Sequence, residues 1–330
     1  MRVVSCSSFG PLSGLTIEDR PAHPLFPGCV RIEVAAAGVN YVDGLIVQGR
    51  YQIKPPVPFV PGFEVAGRVV EIANDIKGFT IGERVFASVG FGGFADEVVV
   101  DARRVTATPD SLTDGQAATF VQSYCTAWFA LHHRAHARPG QSLLVLGAGG
   151  GVGLAAVDLG VSMGLTVFAA ASSAEKRAIA SARGAIATID PGTEDVKDRA
   201  RQLDAEHGGD GAGVDLVYDP VGGEVGEQAL RALREDGQLL VIGFTSGSIP
   251  QLPANQILLR NRRVTGVDWG AWSAKEPAAN QAMLGEIVAA IDAGTLHPVE
   301  PTAYPFEDAA RALEDQLERR VVGKTVILPQ

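Results

Sequence analysis

The sequence predicts a two-domain α/β protein: a β-barrel-type unit in the N-terminal third, then a doubly wound parallel sheet. Three observations carry that reading. A chain of 330 residues with 46% hydrophobic content suits two well-packed cores. Residues 1–116 are rich in Val, Gly and Pro and hold short β-like runs between closely spaced turn signals. From Ser142 onward strand-like and helix-like segments alternate, the pattern of a parallel sheet covered on both faces.

In the first domain strands are expected at 30–35, 65–72, 84–87 and 95–100, with a short helix or turn between Val39 and Tyr51. The pattern becomes helical from 113 to 136, and Arg138-Pro139-Gly140 ends it. In the second domain strands are expected at 143–146, 166–170, 187–189, 216–218, 238–242 and 263–267. Helices fall at 152–163, 174–183, 194–206, 225–233 and 253–259. The tail carries amphipathic helices at 281–293 and 306–318 and a last strand at 324–328, expected to pack back on the first domain. The domains are therefore 1–116 completed by 268–330, and 117–267.

Net charge is −10, which disfavours nucleic acid or an anionic membrane as main partner, since either selects a basic face. The three cysteines, Cys6, Cys29 and Cys125, are too scattered for a disulfide framework or a zinc knuckle. The N-terminus lacks a signal-peptide core, and the longest apolar stretch, 151–171, is interrupted by Asp158. A cytoplasmic protein is expected.

The stretch 142–153 reads SLLVLGAGGGVG, an apolar strand that breaks into five glycines and an alanine before a helix resumes. Strand, glycine turn and helix build an anion site, because backbone N–H groups at the helix N-terminus point at a pyrophosphate and glycine lets that backbone come close. The fingerprint is Ala148-x-Gly150-x-x-Gly153, with alanine in the first glycine's place. At the end of the second strand an acid would hold a ribose 2′-OH. Here Ser172 and Ser173 stand at that point, followed by Lys176 and Arg177. Two hydroxyls and two cations suit a 2′-phosphate, so NADPH is favoured over NADH; the other reading is that Ser172 caps the helix and the cations are solvated.

These residues resemble the medium-chain dehydrogenase/reductase superfamily, specifically its zinc-independent quinone oxidoreductase branch, over essentially the whole chain. The markers are Ala37-Gly38-Val39-Asn40-x-x-Asp43, Pro61-Gly62-Phe63-Glu64-x-Ala66-Gly67, the helix start 122–128 and Gly149-Gly150-Gly151-Val152-Gly153. Further on come Asp219-Pro220-Val221-Gly222-Gly223, Gly266-x-Asp268-Trp269-Gly270 and Val321-Val322-Gly323-Lys324. The resemblance implies a GroES-like β-barrel-type domain and a Rossmann domain with the active site in the cleft between them, in a homodimer. Zinc alcohol dehydrogenases of the superfamily carry a cysteine where Asn40 stands, a histidine where Phe63 stands and a cysteine near Gln122, and their four-cysteine lobe after Val85 is missing. No thiolate or imidazole remains at those positions, so a metal-free site is expected.

By resemblance Asn40 and Tyr51 line the substrate cleft and Thr126 contacts the nicotinamide. Gly150, Gly151 and Val152 hold the pyrophosphate, while Ser172, Ser173 and Lys176 take the 2′-phosphate. Val221, Gly243 and Phe244 border the cofactor from later strand ends, and Trp269 lies near the nicotinamide loop. Each has a plainer alternative. Asn40 closes a turn, Asp43 caps the short helix rather than serving as a base, Tyr51 packs a loop, and Trp269 and Trp272 serve as core or interface aromatics. His132, His133 and His136 offer metal-ligand spacing or a polar helix face. Cys125 is a thiol or a small packing residue. Asp190 and Leu45 depart from the family pattern, and Arg320 or Lys324 is a candidate compensating charge for Asp190. A quinone accepts hydride readily, so positioning and some oxyanion stabilisation suffice, with the quinol protonated from solvent. The expected function is reduction of quinones or related conjugated carbonyls with NADPH. Alternatives are an enoyl-thioester reductase and a non-catalytic, crystallin-like NADPH-binding protein.

Overall fold

The strand Ser142–Leu146 is buried along its whole length, as the middle strand of a parallel sheet must be. In the computed structural model, which describes residues 1–329, its neighbours are Thr166–Ala170 and Val214–Asp219. The full order is Ala187–Ile189, Thr166–Ala170, Ser142–Leu146, Val214–Asp219, Leu233–Val241 and Arg263–Gly266, all parallel. The direction of winding reverses between Ser142–Leu146 and Val214–Asp219, and ligands of such sheets bind outside the strands' carboxyl ends at that reversal. Leu144, Phe168 and Val217 from the sheet pack with Leu203 and Leu230 from the helices Val196–Glu206 and Gly223–Ala232.

The other unit is organised around one long strand, Cys29–Val39, which pairs antiparallel with Glu64–Ile72, Glu97–Asp101 and Thr325–Leu328. Register shifts after Arg31 and Val34 bend it, which lets one strand serve successive partners. Thr325–Leu328 in turn pairs with Thr302–Pro305, so the end of the chain completes the sheet begun at its start. This is the GroES-like domain, and the parallel sheet is the Rossmann domain.

The strand expected at 30–35 extends to Val39, because Ala35 to Val39 are almost wholly buried and show no polar alternation. The expected helix 113–136 breaks into Asp114–Ala117, Val121–Trp128 and a π-helical turn, Phe129–Arg134. The structure groups Met1–Val121 with the residues from Pro298 onward, and Gln122–His297 as the second unit. Residues 268–297, assigned from sequence to the first domain, therefore lie with the second. Trp272 stacks on Phe129 at 4.9 Å, and Met283, Leu284 and Ile287 of helix Pro277–Asp292 are buried. An amphipathic pattern announces an apolar face without saying which core it meets. No described helix is long and apolar enough to cross a membrane.

Candidate active site

The glycine turn sits where the sheet reverses. Helix Gly151–Ser162 begins at once after Gly150, and helical geometry leaves the N–H groups of Gly151, Val152 and Gly153 without intrahelical acceptors. A Cβ at Gly153 would lie 2.3 Å from the Gly147 carbonyl oxygen, so the helix crosses hard against the turn. A Cβ at Gly150 would meet only that same oxygen, at 3.5 Å, so its space is otherwise open. Three outward N–H groups beside open space form a cradle for an anion, and the helix dipole favours negative charge there. The residues fit a dinucleotide pyrophosphate.

Lys176 is brought to the same turn, its stem lying where a Cβ on Gly149 would be 2.4 Å from Lys176 Cβ. Ser173, not Ser172, caps helix Ala174–Ala182 by accepting the Lys176 N–H at 3.2 Å. Ser172 stays exposed at the strand end. Arg177 donates to the Ala171 carbonyl at 2.9 Å and pairs with Asp190 at 2.9 Å. The Asp190 charge is thus neutralised from within the unit. Arg320 pairs with Asp315 at 2.5 Å and Lys324 with buried Asn40, so neither supplies the compensating charge considered from sequence.

Val221 and Phe244 come to the same edge. A Cβ on Gly147 would touch Val221 Cγ2 at 3.0 Å, and one on Gly222 would touch Phe244 at 2.9 Å. Gly243 follows strand Leu233–Val241, its N–H directed to the Asp219 carbonyl at 3.3 Å. Asp219, a residue of the motif with no role expected from sequence, is fully buried and accepts the Val221 and Gly222 N–H groups at 2.8 Å each. It shapes the turn that carries Val221, and burial pushes its carboxyl up. Its place in the Asp219-Pro220-Val221-Gly222-Gly223 run was the available signal.

Thr126 lies half-buried on helix Val121–Trp128. Trp269 opens helix Trp269–Lys275 and donates its indole N–H to Asn280 at 2.9 Å. His132 stacks on Trp128 at 4.2 Å, and His133 packs against Phe129 and Trp272. Cys125 is buried.

In the first unit Asn40 is buried and both ends of its amide are engaged. Its Nδ2 donates to Glu64 at 2.8 Å, and its Oδ1 accepts from the buried Lys324 ammonium at 2.7 Å. Lys324 is also 3.6 Å from Glu64. Asp43 accepts the Asn40 N–H at 2.8 Å and the Gly62 N–H at 3.1 Å, which is capping work at helix Tyr41–Val47. Tyr51 packs against the edge of this unit's core.

Burial pushes the Asp43 carboxyl up to about 7, against the two N–H bonds that pull it down. The folded protein keeps a proton there that an unfolded chain releases near pH ~4. The contribution to stability is fully present below that pH and falls as pH rises towards 7, by at most about 1.4 kcal/mol per pH unit. Denaturant unfolding of wild type and Asp43→Asn between about pH 5 and about pH 8 is expected to show the balance moving towards the variant as pH rises. A constant gap would mean the carboxyl is ordinary.

The chain matches a family model described as alcohol dehydrogenase GroES-like domain over residues 27–110, and one described as zinc-binding dehydrogenase over 151–285. The quinone oxidoreductase-like protein 2 homolog of Nematostella vectensis is 36% identical over 329 residues, 99% of this chain and 88% of that protein. The chain belongs to the zinc-independent quinone oxidoreductase branch of the medium-chain dehydrogenase/reductase superfamily. Among solved structures, the quinone oxidoreductase of Pseudomonas syringae is similar at a TM-score of 0.89 and 27% identity, over 99% of both chains. A mycobacterial protein solved in complex with NADPH is similar at a TM-score of 0.90 and 26% identity, over 100% of both.

Within this branch the second family model's description raises the question of zinc. The residues present do not fit it. Asn40 and Gln122 are amides and Phe63 is a hydrocarbon ring, none of them a zinc ligand of ordinary strength. Among the described residues no group of three or more His, Cys, Asp or Glu is placed to hold a metal ion.

Proposed function

We propose that this quinone oxidoreductase-family protein is an NADPH-dependent reductase that delivers hydride to quinones or related conjugated carbonyls without a metal. The observation that carries the cofactor choice is the end of strand Thr166–Ala170. Ser172 is exposed there, Lys176 lies against the glycine turn, no acid occupies the strand end, and Asp190 is already paired with Arg177. A 2′-phosphate meets hydroxyls and the Lys176 ammonium at that point. Bound, NADPH supplies the hydride. Gly150, Gly151 and Val152 hold the pyrophosphate, and Ser172, Ser173 and Lys176 the 2′-phosphate. Val221, Gly243, Phe244 and Trp269 border the cofactor and keep water from it.

Thr126 is assigned to nicotinamide contact and Tyr51 to substrate contact. Asn40 acts as an anchored wall, its amide oriented by Glu64 and Lys324. No strong acid–base pair is needed, because a quinone requires only orientation and stabilisation of its developing oxyanion. We also propose a homodimer, formed through the exposed edge of strand Arg263–Gly266, in a reducing compartment such as the cytoplasm, where the three free cysteines stay reduced.

Steady-state oxidation of NADPH and NADH against 1,4-benzoquinone and a simple enone tests the proposal. Quinone-dependent turnover that prefers NADPH is the expected result. Tight NADPH binding with neither acceptor reduced would overturn the quinone reading in favour of an acyl-thioester substrate or a non-catalytic role. Lys176→Ala is expected to raise KM for NADPH by about tenfold or more, the loss of one charge-assisted contact, and KM for NADH far less. Equal effects on both cofactors would remove Lys176 from the phosphate site.

A further inference from the structure

A cavity of about 300 Å³ in the second unit is lined by Lys197, Arg201, Arg231, Gln256, Arg260 and Arg262. Five cations converge on it and no carboxylate lines it, in a chain whose net charge is −10. Lys197 reaches the exposed Asp198 at 2.8 Å; among the described residues the four arginines have no ion pair. Assembling like charges costs energy, and burial together with Arg201, Arg260 and Arg231 holds the Arg262 guanidinium down to about 10.

Part of the cluster has a structural role. Arg201 donates to the Arg231 carbonyl at 2.9 Å, and Arg262 donates to the carbonyls of Arg234, Arg231 and Leu233. The bonds to Arg231 and Leu233 satisfy carbonyls at the C-terminus of helix Gly223–Ala232 and place positive charge where its dipole favours it. They leave the Arg260 side chain unexplained, and Arg231 has only the field of the exposed Asp198 carboxylate, which it shares with Lys197 and Arg201. They also leave two buried polar atoms in the lining, Arg201 Nε and Gln256 Oε1, without partners. Buried polar atoms are rarely left so, and a Gln amide turned end for end would present N–H donors at the same point.

We propose that this cavity binds a phosphorylated small molecule, the guanidiniums gripping its phosphoryl oxygens. Guanidinium forks match phosphate oxygens in pairs, and a 300 Å³ cavity has room for more than one phosphoryl group. The site is separate from the glycine turn. Arg231 and Arg262 precede the starts of strands Leu233–Val241 and Arg263–Gly266, whereas the turn follows the end of Ser142–Leu146. In a parallel sheet, starts and ends lie at opposite edges, so the ligand is an effector rather than the reactant.

Isothermal titration of the full chain with inorganic pyrophosphate, at constant ionic strength, tests the site. Wild type is expected to show saturable binding. Arg231→Ser combined with Arg260→Ser is expected to weaken it by about tenfold or more, the factor that ~1.4 kcal/mol represents. Both side chains are exposed, so an unchanged circular dichroism spectrum and melting temperature should accompany the loss. Lys176→Ala is expected to retain binding at this site. No saturable heat in wild type, or wild-type affinity in the double variant, overturns the proposal. So does a loss of all binding in Lys176→Ala alone, which would place the anion at the glycine turn.

Discussion

Gly153→Ala is expected to lower kcat/KM with the dinucleotide by about 100-fold, the scale that a misplacement of about 1 Å carries. The methyl group would stand 2.3 Å from the Gly147 carbonyl oxygen, 2.8 Å from its carbon and 2.9 Å from Ala148 Cα. All three are backbone atoms and none can rotate away. Carbon contacts relax near roughly 3.5 Å, so the helix must withdraw by an amount on the order of 1 Å, taking its N–H groups with it. Overpacking of this kind also costs about 1–3 kcal/mol of stability. Gly150→Ala separates the two effects. Its methyl group meets only the Gly147 oxygen at 3.5 Å and Gly150 has negative φ, so stability should hold while binding weakens. Fluorescence titration with NADPH and denaturant unfolding read the two quantities. Wild-type affinity in both variants would show that the turn is no pyrophosphate cradle.

Lys324→Met is expected to destabilise the first unit by about 3–5 kcal/mol, the cost of breaking a buried ion pair from one side. The substitution leaves the buried Glu64 carboxylate without its cation and removes the donor 2.7 Å from Asn40 Oδ1. Adding Glu64→Gln should restore a large part of the loss, because the uncompensated charge is then gone. Hydrogen exchange in strands Cys29–Val39 and Thr325–Leu328 reads this unit separately from the Rossmann domain. A loss below about 1 kcal/mol would place the pair in the class of solvated surface bridges.

Legibility varied from place to place for physical reasons. The strand at 143–146 was visible because a buried central strand is an unbroken apolar run between turn residues. The π-helical turn Phe129–Arg134 was not, because it keeps a helical composition and changes only the hydrogen-bond offset. At the phosphate end the hydroxyls and cations could be read in order, yet Ser173 rather than Ser172 takes the cap. Two adjacent serines have nearly equal capping chemistry, and the backbone chooses between them. Tail helix Pro277–Asp292 showed its apolar face from sequence, but its grouping with Gln122–His297 depended on the core it meets.

Local chemistry let the sequence by itself determine the alternating α/β architecture, the glycine turn and the polar end of the second strand. Periodicity, glycine's tolerance of close approach and the absence of an acid are properties of neighbouring residues. The tertiary structure alone decided what depends on residues far apart. It set Val214–Asp219 beside Ser142–Leu146 and closed Asn40 onto Lys324 across 284 positions. It also paired Arg177 with Asp190 and gathered five cations around one cavity. A charge carries no mark of its partner along the chain; folding brings the two together and excludes the water that would otherwise solvate each alone.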